Sequence, residues 1–221
     1  MNLFIEVAGQ IWGISCIVWL VCYILKLWLW EYSIIRRPVQ TYRAKKRISK
    51  VPSQSCRLET KDKVIIENVE RVGRRIEAAA ECTKHSIVFL VINDRRISAS
   101  VCSPNIVLIS TGAYRDCRNE DEVAAILSHE VGHIVIWKEQ GLPGSTLEES
   151  RAVEFQADKL GVELANKAGY NPNAAVQWFW RIMGYRFRMG FDIHAEDSSC
   201  THPSELKRIR AINQVLESYS Q

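Results

Sequence analysis

One stretch, NEDEVAAILSHEVGHIVIWKEQ over Asn119–Gln140, limits what this chain can fold into. It reads as a helix with marked ends. Asn119 suits the N-cap, Glu122 three residues on makes a capping-box-like start, and Glu120 and Asp121 add negative charge to the first turn. Gly141 and Pro143 stop it. Val123, Leu127, Val131 and Ile134 form one face, and Ala125, Ser128 and Gly132 form a narrow side that allows close packing. A helix apolar or small nearly all round is buried, so the rest of the fold must be built around it. Yet His129, Glu130 and His133 lie inside it, and buried polar groups need partners. Two histidines four apart share one face, a turn from each other, so both imidazoles can reach one metal ion. Glu130 is rotated by about 100° and can instead take a proton from a water on that metal.

Two histidines leave a zinc ion short of protein ligands. Thr146–Lys167 supplies a candidate third: a second helix, opened by a Thr146 and Glu149 capping box and closed before Gly169 and Pro172. Glu154 and Asp158 lie one turn apart on its face, beside Ala157, Gly161 and Ala165. Small residues there permit close approach to the first helix. Glu154 as third ligand leaves an open position for water, as catalytic zinc requires. Asp158 can then hold the second nitrogen of a ligand histidine.

The remaining stretches supply a scaffold. Lys61–Cys82 carries Ile65, Val69, Val72 and Ile76 at helical spacing. Ser86–Ile92, Ile97–Cys102 and Ile106–Ser110 read as three short strands of a small sheet, with a turn at Ser103, Pro104 and Asn105. Such a sheet either offers an edge to an extended peptide or is an ordinary core hairpin. Asn173–Met189, with Val176, Trp178, Phe179, Trp180, Ile182 and Met183, reads as a core helix; an aromatic wall for a substrate is the alternative. Gly190–Cys200 is polar, either a solvated loop or a flap. Pro203–Ser218 reads as a terminal helix along Leu206, Ile209, Ile212 and Leu216.

Ahead of all this, Ile11–Trp30 is twenty residues with a single charge, Lys26, long enough to span a bilayer as a helix. Trp28, Trp30 and Tyr32 suit the membrane interface. Seven cations follow in fifteen residues: Arg36, Arg37, Arg43, Lys45, Lys46, Arg47 and Lys50. Beside an apolar span they read as a positive-inside signal and an attraction to anionic lipid, not as a nucleic-acid surface. That orientation puts the rest of the chain on the cytoplasmic side of a single-pass anchor, or on the matrix side of a mitochondrial inner membrane. The expected division is an anchor over 1–35, a basic linker over 36–57 and a domain over 58–221. Seven cysteines, an odd number without a close pair, argue for reduced thiols.

Taken together, the motifs resemble those of the membrane-associated zinc metallopeptidases that include the CAAX prenyl endopeptidase, the heat-shock protease HtpX and the Oma-type mitochondrial protease. Three groups carry the likeness: His129, Glu130 and His133; Glu154, Ala157 and Asp158; and Thr201, His202 and Pro203 followed by Arg208 and Ile209. The likeness covers roughly Lys61–Ile212. It implies one zinc per chain on His129, His133 and Glu154, Glu130 as general base, and His202 and Arg208 at the oxyanion or substrate. An imidazole and a guanidinium suit that task physically. Only twenty residues separate His133 from Glu154, where many relatives insert a long hairpin. The expected fold is α+β: a mostly helical, gluzincin-like domain with a small β-sheet, behind one transmembrane helix. The expected activity is peptide-bond hydrolysis on unfolded or membrane proteins. A zinc-bound membrane adaptor without catalysis is the alternative.

Overall fold

Four of the described helices begin at a residue whose side chain caps the first turn: Asp62, Ser110, Asn119 and Thr146. The computed structural model describes residues 60–82, 86–141, 146–190 and 202–219, all within one unit, Pro52–Gln221. The elements run α1 (Lys63–Ala79), β1 (Val88–Ile92), β2 (Ala99–Ser103), β3 (Ile106–Ser110), α2 (Thr111–Asp116), α3 (Glu120–Gln140), α4 (Leu147–Lys167), α5 (Ala174–Arg188) and α6 (Glu205–Glu217). The fold is α+β and mostly helical, with a three-stranded sheet, as expected. The anchor over 1–35 and the linker over 36–57 lie outside the described residues, as do Gly190–Cys200 beyond Gly190 itself. Among the described residues no helix is long and apolar enough to cross a membrane.

α1 buries the stripe read from its spacing, Ile65, Val69, Val72 and Ile76. Each such side chain contributes about 1.5–3 kcal/mol relative to exposure, which holds an otherwise charged helix in place. Its buried Glu77 accepts the Ile87 N–H at 2.8 Å and pairs with Arg74, so a carboxylate on α1 fixes the approach to β1. β3 is buried along its whole length because it is the central strand. It runs parallel to β1, with Leu90 opposite Leu108, and antiparallel to β2, with Ser100 opposite Leu108. β2 and β3 are joined through Pro104 and Asn105, and β2 forms an edge with alternating exposure.

Two sequence expectations change, and one element is added. After β3 the chain enters the short helix α2, capped by the Ser110 hydroxyl accepting the Ala113 N–H. The capping box at the start of α3 is only half made. Asn119 accepts the Glu122 N–H, but the Glu122 carboxylate turns to the Arg118 N–H and to Arg181. Trp180 is not in the core: it is 52% exposed, because of that run α5 fully buries only Phe179 and Met183 and leaves Trp180 on its solvent side.

α3 is enclosed as its composition demands, by α1, the sheet, α4 and α5. Two apolar clusters result. The larger joins α1, the sheet and α3; the smaller joins Val162 of α4, Phe179 and Met183 of α5, and Ile209 and Ile212 of α6.

Candidate metal centre

The site depends on how closely α3 and α4 approach. A Cβ on Gly132 would lie 3.0 Å from the Ala157 carbonyl oxygen, and one on Gly161 would lie 3.0 Å from the backbone of His129. Glycine at these two crossing points lets the helices touch backbone to backbone, and that contact brings Glu154 opposite the two histidines.

The Nε2 atoms of His129 and His133 are 3.2 Å apart. The Glu154 oxygens lie 3.5 Å from His129 Nε2 and 3.3 Å from His133 Nε2. All three residues offer ligand atoms within 4.8 Å of one another. Zinc bonds of 2.0–2.2 Å in a tetrahedron require ligand atoms about 3.3–3.5 Å apart, so the spacing fits a cation at the centre. Glu154 Oε2 is buried without a hydrogen-bond partner, and an unpartnered buried carboxylate oxygen is costly unless something else coordinates it. The donor set, two imidazoles and a carboxylate, suits zinc.

The next layer holds these ligands still. Asp158 Oδ1 lies 3.0 Å from His129 Nδ1, as expected for an acceptor that fixes the ring. Arg208 grips the same carboxylate, its Nε and Nη2 donating at 2.7 and 2.6 Å. Its Nη1 is 3.5 Å from Glu154, and its guanidinium lies over the Phe179 ring. His133 has no equivalent of Asp158: its Nδ1 is unpartnered, and its ring lies beside that of Trp137. His202 is more open, with Nε2 3.5 Å from Glu154. Glu130 is buried and lines the same cavity as His129, His202 and Arg208. The fold thus brings together all seven residues singled out in the sequence.

Electrostatically the centre is made for a cation. Burial alone would raise Glu154, but the close approach of His129 and His133 outweighs it and holds the carboxyl far below its usual range. Asp158 is also lowered, its burial overcome by Arg208 and His129. Burial and the Arg208 charge act to lower His129, yet Asp158 and Glu154 raise it to about 9. The acidic ring therefore draws positive charge onto the imidazole, and a metal ion would take the place of that proton. Burial pushes Glu130 upwards against the pull of His129 and His133.

One group escaped the sequence reading. Arg181 donates to both oxygens of buried Glu122 at 2.6 Å and to Asp116 at 3.2 Å, and Asp116 accepts the Trp178 indole N–H at 3.1 Å. A cation inside the aromatic run of α5 was the available signal, since a half-buried charge implies an acidic partner.

Similarity to known proteins agrees with this geometry. The profile of peptidase family M48 matches residues 65–137 and 139–216. The mitochondrial metalloendopeptidase OMA1 of Schizosaccharomyces pombe is 30% identical over 178 residues, 67% of this chain and 52% of that protein. Its Arabidopsis thaliana namesake is 25% identical over 179 residues, 66% of this chain and 36% of that protein. The beta-barrel assembly-enhancing protease of Yersinia pestis is 20% identical over 161 residues, 55% of this chain and 33% of that protein. The chain thus spans between a third and about half the length of these relatives. With the family profile covering both helices that carry His129, His133 and Glu154 and the terminal helix that carries Arg208, the chain belongs to peptidase family M48.

Proposed function

We propose that the chain is a membrane-anchored zinc endopeptidase that hydrolyses peptide bonds of unfolded or membrane proteins. The single observation that carries this reading is the convergence of His129, His133 and Glu154 at tetrahedral spacing, with Glu130 in the adjoining cavity. One zinc ion bound there supplies a Lewis acid for the scissile carbonyl and a water of lowered pKa. Glu130 takes the proton of that water and delivers it to the leaving amine. Its burial keeps it protonatable, which both halves of that task require. His202, the most open of the seven, donates to the developing oxyanion. Arg208 is tied to Asp158 through two nitrogens and its Nη1 lies 3.5 Å from Glu154, which leaves it little to offer a substrate directly. Its larger part in this reading is to keep Asp158 aimed at His129.

The anchor comes from sequence: Ile11–Trp30 followed by seven cations supports a single-pass protein with the peptidase domain on the cytoplasmic side, or facing the matrix if the membrane is mitochondrial. The mitochondrial name of the OMA1 relatives favours the second address. The edge strand β2, whose flank at Ile97–Ala99 borders the cavity, is where an extended substrate would add itself.

Glu130→Gln in the full chain tests the reading. It should retain zinc at wild-type stoichiometry by metal analysis while cleavage of unfolded casein drops at least about a hundredfold. Undiminished proteolysis by this variant would remove Glu130 from its role. A wild-type protein that binds zinc and never cleaves would instead favour the adaptor.

A further inference from the structure

Exposed apolar side chains on this domain are not evenly spread. Among the described residues Val64, Ile97, Leu147 and Tyr219 are scattered over the fold, but Trp180, Tyr185, Phe187 and Met189 all fall in the last two turns of α5 and its C-cap, each between 52% and 68% exposed. Trp180, Gly184 and Phe187 follow at spacings of four and three, so they share one side of the helix. On another side Phe179 and Met183 fill the smaller apolar cluster, and Phe179 with Trp178 lines the metal-centre cavity. α5 is thus a partition, with the cavity behind it and an aromatic stripe in front.

Its charge is one-sided. No carboxylate lies between Asn173 and Gly190, whereas Arg181, Arg186 and Arg188 do. Arg181 turns inward to Glu122 and Asp116, and Arg186 pairs with Glu205 at the start of α6. Arg188 is exposed next to Phe187. Aromatic rings with cations at their edge and no acid suit the headgroup level of an anionic bilayer, where Trp and Tyr settle and guanidinium groups meet lipid phosphate. They suit a protein partner less: four such side chains offer roughly 500 Å², below the about 800 Å² per partner that a stable complex buries.

We propose that this face of α5 docks on an anionic lipid surface. Trp180, Tyr185, Phe187 and Met189 enter the headgroup region, and Arg188 pairs with lipid phosphate. Docking rests on the anchor reading above: 29 residues, 31–59, join Thr60 to the apolar stretch ending at Trp30, so the bilayer is a tethered neighbour and a weak contact suffices. In this arrangement only α5, about 10–12 Å across, separates the metal-centre cavity from lipid, which favours substrate segments lying close to the membrane.

The full chain is reconstituted into nanodiscs of phosphatidylcholine alone or mixed with phosphatidylglycerol, and side-chain oxidation by hydroxyl radicals is read by mass spectrometry. Trp180, Phe187 and Met189 should be oxidised at least about threefold more slowly in the anionic discs, with Val64 and Tyr219 unchanged. Added salt should restore the neutral-disc rates. Phe187→Glu should remove the protection of Trp180 and Met189 at an unchanged melting temperature; Arg188→Glu serves if the first variant does not fold. Equal oxidation in the two kinds of disc, or protection that survives both substitutions, overturns the docking and leaves the anchor standing. Protection that appears only in discs carrying two copies makes the face a contact between copies, and overturns it too. A chain that alkaline carbonate strips from vesicles, yet that anionic vesicles protect at Trp180 and Phe187, supports the docking face and overturns the anchor.

Discussion

Arg181 stands inside the aromatic run of α5 with 17% of its side chain exposed, facing a Glu122 that is 2% exposed. Burial acts to raise that carboxyl, but the Arg181 hydrogen bonds, the Arg118 N–H and both charges outweigh it and hold the pKa below its ordinary range. A carboxyl lowered on folding contributes stability that is present above its unfolded pKa and lost as the pH falls through the folded value. Arg181→Met should therefore cost about 3 kcal/mol at about pH 7, since it strands a buried charge. The gap from wild type should narrow as acid protonates Glu122. Urea titrations at neutral and acid pH check this; a gap independent of pH would mean the pair contributes nothing through charge. At this scale the sequence was legible where residues shared one helix. His129 and His133, or Glu154 and Asp158, are placed by helical period alone. Arg181, Asp116 and Glu122 come from three helices, and no local spacing links them.

Among elements, the crossing of α3 and α4 decides the site. Gly161 lets the His129 backbone come within van der Waals reach, and Gly132 does the same for Ala157. Gly161→Ala places a methyl group 3.0 Å from His129 N and Cα, and backbone on a packed helix cannot yield as a side-chain tip can. The helices must separate by a few tenths of an ångström. Overpacking of this kind costs about 1–3 kcal/mol, and it moves Glu154 away from both imidazoles. We expect weaker zinc affinity by chelator competition together with a lower melting temperature. Zinc affinity at the wild-type level would show that the ligands do not depend on this contact. The small-residue sides of both helices were readable as permission to approach. At the start of α3 only the reciprocal half of the capping box was misread, because Glu122 had two uses open to it and a distant arginine drew it from the cap.

The whole molecule divides its stability unevenly. α3 lies in the larger apolar cluster, while α5 and α6 are held mainly through the five residues of the smaller one and through the Arg181 and Arg208 ion pairs. Hydrogen exchange should accordingly be faster over Ala174–Arg188 and Glu205–Glu217 than over Glu120–Gln140. Removing zinc with a chelator should lower the melting temperature and speed exchange in α3 and α4 together, with zinc restoring both. A metal present at a thousand times its dissociation constant contributes about 4 kcal/mol. Equal exchange in all four helices before and after chelation would argue against a metal shared between α3 and α4.

The sequence by itself determined the longer helices, most of their caps, the strand segments and which side chains on α3 and α4 could hold a metal ion, because period and capping act within a few residues. The tertiary structure alone decided the β1–β3–β2 order, the turning of Trp180 to solvent, the grip of Arg208 on Asp158 and the cavity at the metal centre. Those features depend on which surfaces meet after the chain has closed on itself, and packing between remote segments leaves no period in the sequence to read.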